Sequence, residues 1–136
     1  MRYGHMRVST SDKQEFTRQE FVLKDYHLDM IFEEKISGTK KACGRKEFEK
    51  LLELLTKGDE VYFESMSRMA RSMQDLIDTT YYIVKTKKAK VIFIKENLSI
   101  GGENGTDAMS ALVFNIMGSF AQFERDVIAE RIKDNM

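Results

Sequence analysis

The sequence predicts an α/β domain: a mainly parallel sheet of four to five strands flanked by helices, followed by a long C-terminal helix suited to pairing subunits. Three observations carry this expectation. Short strand-like apolar runs alternate with segments of helical periodicity, in the order β-α-β-α-β-α-β. One run, Val91-Ile92-Phe93-Ile94, is apolar throughout, as strands buried on both faces are. From about residue 107, apolar residues recur at alternating steps of four and three.

The first strand is read over Arg2 to Ser9, where Tyr3, Gly4, His5, Met6 and Val8 precede the polar Ser9-Thr10-Ser11-Asp12, a helix-start signal. A helix follows over about Lys13 to Lys24, with Phe16 and Leu23 a heptad apart, and then a second strand over about Met30 to Glu33. Residues 34–44, polar and small with two glycines, read as a mobile loop whose length hints at function. Phe48, Leu51, Leu52 and Leu55 then fall at i, i+3, i+4 and i+7, giving an amphipathic helix that Gly58-Asp59 ends before a third strand, Val61-Tyr62-Phe63. A stripe of Met69, Met73, Leu76, Ile77, Thr80 and Val84 predicts one further helix beginning near Arg68, and Gly101-Gly102-Glu103-Asn104-Gly105 a second flexible loop.

In the last segment Met109, Val113, Ile116, Phe120, Phe123 and Val127 form the seam. Leu112, Met117, Ala121 and Ile128 widen it, so that one face can cover the sheet while another meets a second subunit. The competing reading is a core helix packed only within its own domain.

The bulk numbers set limits. The 136 residues suit one domain, and 42% hydrophobic with 32% charged residues is ordinary for a soluble globular protein. No apolar run approaches the roughly 18 residues of a membrane span, and residues 1–20 lack the pattern of a secretory signal. The single Cys43 cannot form an internal disulfide and has no evident base or metal partner, so a reduced, cytoplasmic setting is expected. Acidic and basic residues balance at 22 each; any attraction to a polyanion must be local.

Ligands of open α/β sheets bind beyond the carboxyl ends of the strands. After the first strand come Arg7 and Ser9, on one side of it by strand parity. After the second, beyond the loop, comes Arg45; after the third come Arg68 and Arg71, spaced to share a helical face. Only eight of the 22 basic residues are Arg, so finding Arg at all four positions favours bidentate recognition of phosphate over general solubility. A hydroxyl attacking phosphorus needs cations to absorb developing charge, and guanidinium groups supply them. Taken singly, a strand-end serine is more often a helix cap, paired arginines are more often solvated, and His5 is more often a packed strand histidine than a base.

Together, Arg7-Val8-Ser9-Thr10, Ser37-Gly38, Arg45, Gly58-Asp59, Arg68-Met69-Ala70-Arg71-Ser72 and Gln122-Phe123-Glu124-Arg125 resemble, in order and over nearly the whole chain, the catalytic domain of the serine site-specific recombinases, the resolvase and invertase family. The resemblance implies one catalytic domain over residues 1–136. In it Ser9 attacks the DNA backbone to give a 5′-phosphoserine bond and a free 3′-hydroxyl, with no metal or nucleotide cofactor. Arg7, Arg45, Arg68 and Arg71 would hold the phosphate, Gln14, Gln19, Ser67 and Glu124 would support them, and Arg125 and Arg131 would meet DNA. It also implies a homodimer that joins a second in a synaptic tetramer on double-stranded DNA.

Three departures stand out. Ser67 occupies the place where members usually carry Asp, although a serine there could still cap the following helix. The spacing from Ser9 to Gln14 is one residue longer than members usually have, and Lys46 stands where proline is common. Members usually add a basic DNA-binding region after the long helix, so a fragment is expected here. Two alternatives remain: a non-catalytic assembly or regulatory module of the same fold, which Ser67 would allow, and a small phosphate-ligand-binding domain, disfavoured because no Gly-rich phosphate loop follows any strand.

Overall fold

The computed structural model describes residues 1–9, 13–36, 46–70, 72–102 and 108–134, with side chains left aside at 8, 9, 13, 15, 16, 35, 36, 108, 109, 133 and 134. Strands β1 (Arg2–Ser9), β2 (Met30–Ile36), β3 (Glu60–Phe63), β4 (Lys90–Phe93) and β5 (Leu98–Ile100) form one sheet in the order β2-β1-β3-β4-β5. The first four are parallel, and β5 returns antiparallel against β4, with Phe93 opposite Leu98 and Val91 opposite Ile100. Helix α1 (Lys13–Lys24) links β1 to β2, and α2 (Lys46–Leu54) links β2 to β3. Between β3 and β4 run α3 (Met66–Met69), α4 (Met73–Tyr81) and a π-helical turn (Tyr82–Thr86); α5 (Ala108–Asp134) closes the chain.

The alternation of strand side chains makes two unequal cores. Tyr3, Phe32, Val61, Phe63, Val91, Phe93, Leu98 and Ile100 point to one face, where Phe48, Leu51 and Leu55, then Met69, Leu76, Ile77, Ile83 and Phe114, cover them. The other face buries Met6, Leu23 and Tyr62, with Tyr26, Leu28, Ile92 and Ile94 packed against them. Each apolar side chain that is fully buried, such as Leu23, Leu51 or Phe63, contributes roughly 1.5–3 kcal/mol. Gly4 lets α1's following turn approach β1: a Cβ there would come within 2.4 Å of Leu28 Cδ1.

Four sequence expectations are corrected. The second strand does not stop at Glu33; it continues to Ile36, because Arg7, Val8 and Ser9 extend β1 opposite Glu34, Lys35 and Ile36. Leu98–Ile100, to which no element was assigned, is a strand, since Asn97 takes φ 55 in the turn and folds it back on β4. The single helix expected from Arg68 to Val84 is broken at Ala70, whose φ of −127° and ψ of 153° are extended. Two helix starts compete there: Ser65 is the N-cap residue of α3, and Ser72 caps α4 by accepting from the Asp75 N–H at 3.1 Å. Finally, Ser67 lies inside α3 and caps no helix; its hydroxyl meets that of Ser65 at 3.0 Å.

Helix α5 divides its apolar residues. Phe114 and Ala121 are buried, with Val113 and Met117 packed on the larger core, while Leu112, Ile116, Phe120, Phe123, Ile128 and Ile132 are exposed. Thus Ile116, Phe120 and Phe123 of the predicted seam face outward, and Met109 lies outside the described side chains. Among the described residues no helix is long and apolar enough to cross a membrane.

Candidate active site

The carboxyl ends of β1 and β3 set the site. Pairing of β1 with β3 ends at His5 opposite Phe63, but β1 runs on to Ser9. The backbone of Arg7 therefore has no strand on its β3 side, and Gln19 of α1, with 0% exposure, fills the place. Its Oε1 accepts from the Arg7 N–H at 3.3 Å and its Nε2 donates to the Arg7 carbonyl at 3.1 Å. A buried backbone pair is thereby satisfied, and the strand end carrying Arg7 and Ser9 is held in place.

The Arg7 side chain reaches across to α3, where Nη2 donates to the Ser67 carbonyl at 2.8 Å. That helix is also held from the β4–β5 turn: Glu96 Oε1 accepts from the Met66 N–H at 3.1 Å, serving an N-terminal donor that Ser65 leaves uncapped. Arg68 follows one residue after Ser67, 23% exposed in its side chain. At the end of β3 the carboxylate of Glu64, 10% exposed, stands between two cations: Oε2 is 3.6 Å from Arg68 Nε and Oε1 is 3.8 Å from Arg18 Nη2.

A second buried carboxylate marks the start of α2. Glu34 of β2 accepts from the Glu47 and Phe48 N–H groups at 3.2 and 3.3 Å, a negative charge at a helix N-terminus. His5 is packed rather than presented: 2% exposed, it meets Phe48 edge-on at 5.0 Å and Phe63 at 5.7 Å.

Of the residues expected at the site, the structure brings Arg7, Arg68, Ser67 and Gln19 together around the β1 and β3 ends. Ser9 ends β1 opposite Ile36, with its side chain outside the described set. Gln14 is exposed on the first turn of α1. Arg45 and Arg71, with Ser37-Gly38 and Cys43, lie outside the described residues. The helix carrying Arg68 ends at the extended Ala70, so the shared helical face expected for Arg68 and Arg71 is not carried by α3, and Arg71 itself lies outside the described residues. Glu124, Arg125 and Arg131 are exposed on α5, away from any packed contact with the strand ends; the Arg125 guanidinium donates to Gln122 within its own helix.

Sequence reasoning missed Glu64, Arg18 and Glu96. The i, i+4 spacing of Glu64 and Arg68 was readable, but only with a helix starting at Ser65 rather than at Arg68. Among the described residues no three His, Cys, Asp or Glu side chains converge as a metal site. A cavity of about 170 Å³ opens between α4, the π-helical turn and α5, lined by Tyr81, Lys85, Phe114 and Asn115 among others; it touches Ile100, at the opposite end of the sheet.

A mainly parallel sheet with arginines gathered at its strand ends, carrying a long helix with an exposed apolar face, is the architecture of the serine recombinase catalytic domains. The crystal structure of the N-terminal catalytic domain of TP901-1 integrase shares the fold, with a TM-score of 0.65 over 93% of this chain and 97% of that one, at 22% identity. The C-terminal catalytic domain of ISC1926 TnpA, an IS607-like serine recombinase, aligns with a TM-score of 0.51 over 98% of this chain and 97% of that one, at 21% identity. The chain belongs to the resolvase family: residues 2–136 match the family described as "Resolvase, N terminal domain". It is similar to a resolvase of Clostridium perfringens (36% identical, covering 100% of this chain and 70% of that protein). It is also similar to the transposon Tn21 resolvase of Escherichia coli (35% identical, covering 99% and 68%). The function of this family is site-specific recombination.

Proposed function

We propose that this chain cuts and rejoins DNA with Ser9 as nucleophile. The Ser9 hydroxyl oxygen attacks the scissile phosphorus and loses its proton. The bond from phosphorus to the 3′-oxygen breaks, and that oxygen takes up a proton, leaving a 5′-phosphoserine and a 3′-hydroxyl. One phosphoester replaces another, so the reverse attack by a new 3′-hydroxyl reseals the strand without fuel. Arg7, Arg45, Arg68 and Arg71 neutralise the charge that builds on the phosphoryl oxygens, assisted by Gln14 and Gln19. The observation that carries this reading is the hydrogen bond from Arg7, two residues before Ser9 on β1, to the carbonyl of Ser67, the residue before Arg68 on α3. Glu124 on α5 supports the site, and Arg125 and Arg131 meet DNA in a homodimer, which pairs with a second dimer in a synaptic tetramer in the cytoplasm.

The test uses the full-length protein on supercoiled DNA bearing its site, looking for a protein-linked 5′ end. Ser9→Ala should abolish the adduct and Arg68→Ala impair it; an adduct from Ser9→Ala overturns the assignment. A second reading, a catalytically weakened module, rests on Ser67. It is favoured if wild type forms no adduct and Ser67→Asp does.

A further inference from the structure

The carboxylate of Glu64 has no part in the chemistry just described, yet it is placed with unusual care. It projects from the residue just after β3 into a nearly solvent-free position and faces Arg68 with one oxygen and Arg18 with the other. A carboxylate so buried needs compensating cations, and both come from elements bordering the site. The contact to Arg68 is an ion pair to Nε at 3.6 Å, longer than a hydrogen bond, on the side of the guanidinium nearest its stem. The attraction favours the guanidinium placement that turns its stem side to Glu64, and a guanidinium so turned can present its terminal nitrogens to a phosphate as a planar pair.

The backbone of α3 does not depend on this contact. It is held by Arg7 at the Ser67 carbonyl and by Glu96 at the Met66 N–H. What Glu64 adds is therefore the orientation of one side chain, together with a link to α1 through Arg18. Since α1 also supplies Gln19 to the Arg7 backbone, the same helix steadies both arginines.

We propose that Glu64 is a positioning residue that aims the Arg68 guanidinium at the scissile phosphate from the end of β3. This rests on the reading of Ser9 and Arg68 given above.

The test takes full-length wild type, Glu64→Gln and Glu64→Asp. The nitrogen NMR signal of Arg68 Nε–H, identified by its loss in Arg68→Lys, should stand apart from those of solvent-exposed arginines in wild type. It should collapse towards them in Glu64→Gln and stay apart in Glu64→Asp. On supercoiled DNA bearing the site, Glu64→Gln should form the 5′ adduct about tenfold more slowly while retaining DNA as well as wild type, and Glu64→Asp should regain most of the rate. Thermal unfolding of each variant shows that it is folded. An unmoved Arg68 signal in Glu64→Gln, or an adduct rate equal to wild type, overturns the proposal. Failure of the Ser9 reading looks different: wild type forms no adduct, or Ser9→Ala still does, while the NMR comparison continues to decide the Glu64–Arg68 contact.

Discussion

The Gln19 carboxamide is bonded twice to the backbone of Arg7, accepting at 3.3 Å and donating at 3.1 Å, where a neighbouring strand would otherwise run. A helix side chain thus takes the place of a neighbouring strand beside the end of β1 that carries Arg7 and Ser9. Replacing it leaves a buried N–H and a buried carbonyl without that partner. Gln19→Ala should lower unfolding stability by about 2–4 kcal/mol, measured by urea denaturation. A loss below about 0.5 kcal/mol, the range of an ordinary surface substitution, would show that water replaces the carboxamide.

Gly101 follows β5 with φ of +91°, and a Cβ there would lie 2.9 Å from the Ala89 carbonyl oxygen. That atom is backbone and cannot swing aside. Gly101→Ala should cost about 1–3 kcal/mol. Gly58, at φ of +90° with nothing near its Cβ position, isolates the dihedral penalty alone. Thermal unfolding of the two alanine variants side by side should show the larger loss at Gly101.

Tyr62 is buried, which pushes its phenol up to about 12, and its hydroxyl also donates to Glu60 at 3.0 Å beside that carboxylate's charge. A folded-state value above the unfolded 10.0 means that this stabilisation is complete below pH 10 and is lost as pH rises towards 12. Urea midpoints measured across that window should fall more steeply for wild type than for Tyr62→Phe.

Asp59 behaves in the opposite sense. Burial raises its carboxyl, but hydrogen bonds from the Thr56 N–H and hydroxyl and from the terminal ammonium outweigh this and hold it below its usual 3.8. Its contribution is present above pH 3.8 and disappears as pH falls through the lower folded value. Asp59→Asn should flatten the acid limb of the stability profile below pH 3.8.

On α5, Ile116 and Phe123 are 59% and 63% exposed and make up part of one apolar face. If that face joins two subunits, Ile116→Glu with Phe123→Glu should yield a monomer in sedimentation experiments at concentrations where wild type is dimeric. The fold itself should change by no more than about 0.5 kcal/mol per substitution. Equal masses for variant and wild type would place the subunit contact elsewhere.

Local chemistry wrote most of the elements into the sequence. A continuous apolar run over Val61–Phe63, a period near 3.6 over Phe48–Leu55 and a polar start before Lys13 each depend on neighbours within a few residues, so β1, α1, α2, β3, β4 and α5 could be read directly. The presence of arginine and serine just after strands was equally legible, because strand ends are positions in the chain. The break at Ala70 was not: two serines compete to start helices there, and only packing of Met69 and Leu76 into one core decides between one helix and two.

What tertiary structure alone decided is how the site residues are held. Gln19 meets Arg7 across twelve residues and a change of element, and Arg7 meets Ser67 across sixty. Glu64 gathers Arg18 and Arg68 from different helices. Such contacts have no sequence period, because they depend on how far β1 outruns β3 and on which helix covers the gap. The sequence by itself determined which chemical groups arrive at the edge of the sheet; the unequal lengths of paired strands decided which of them touch.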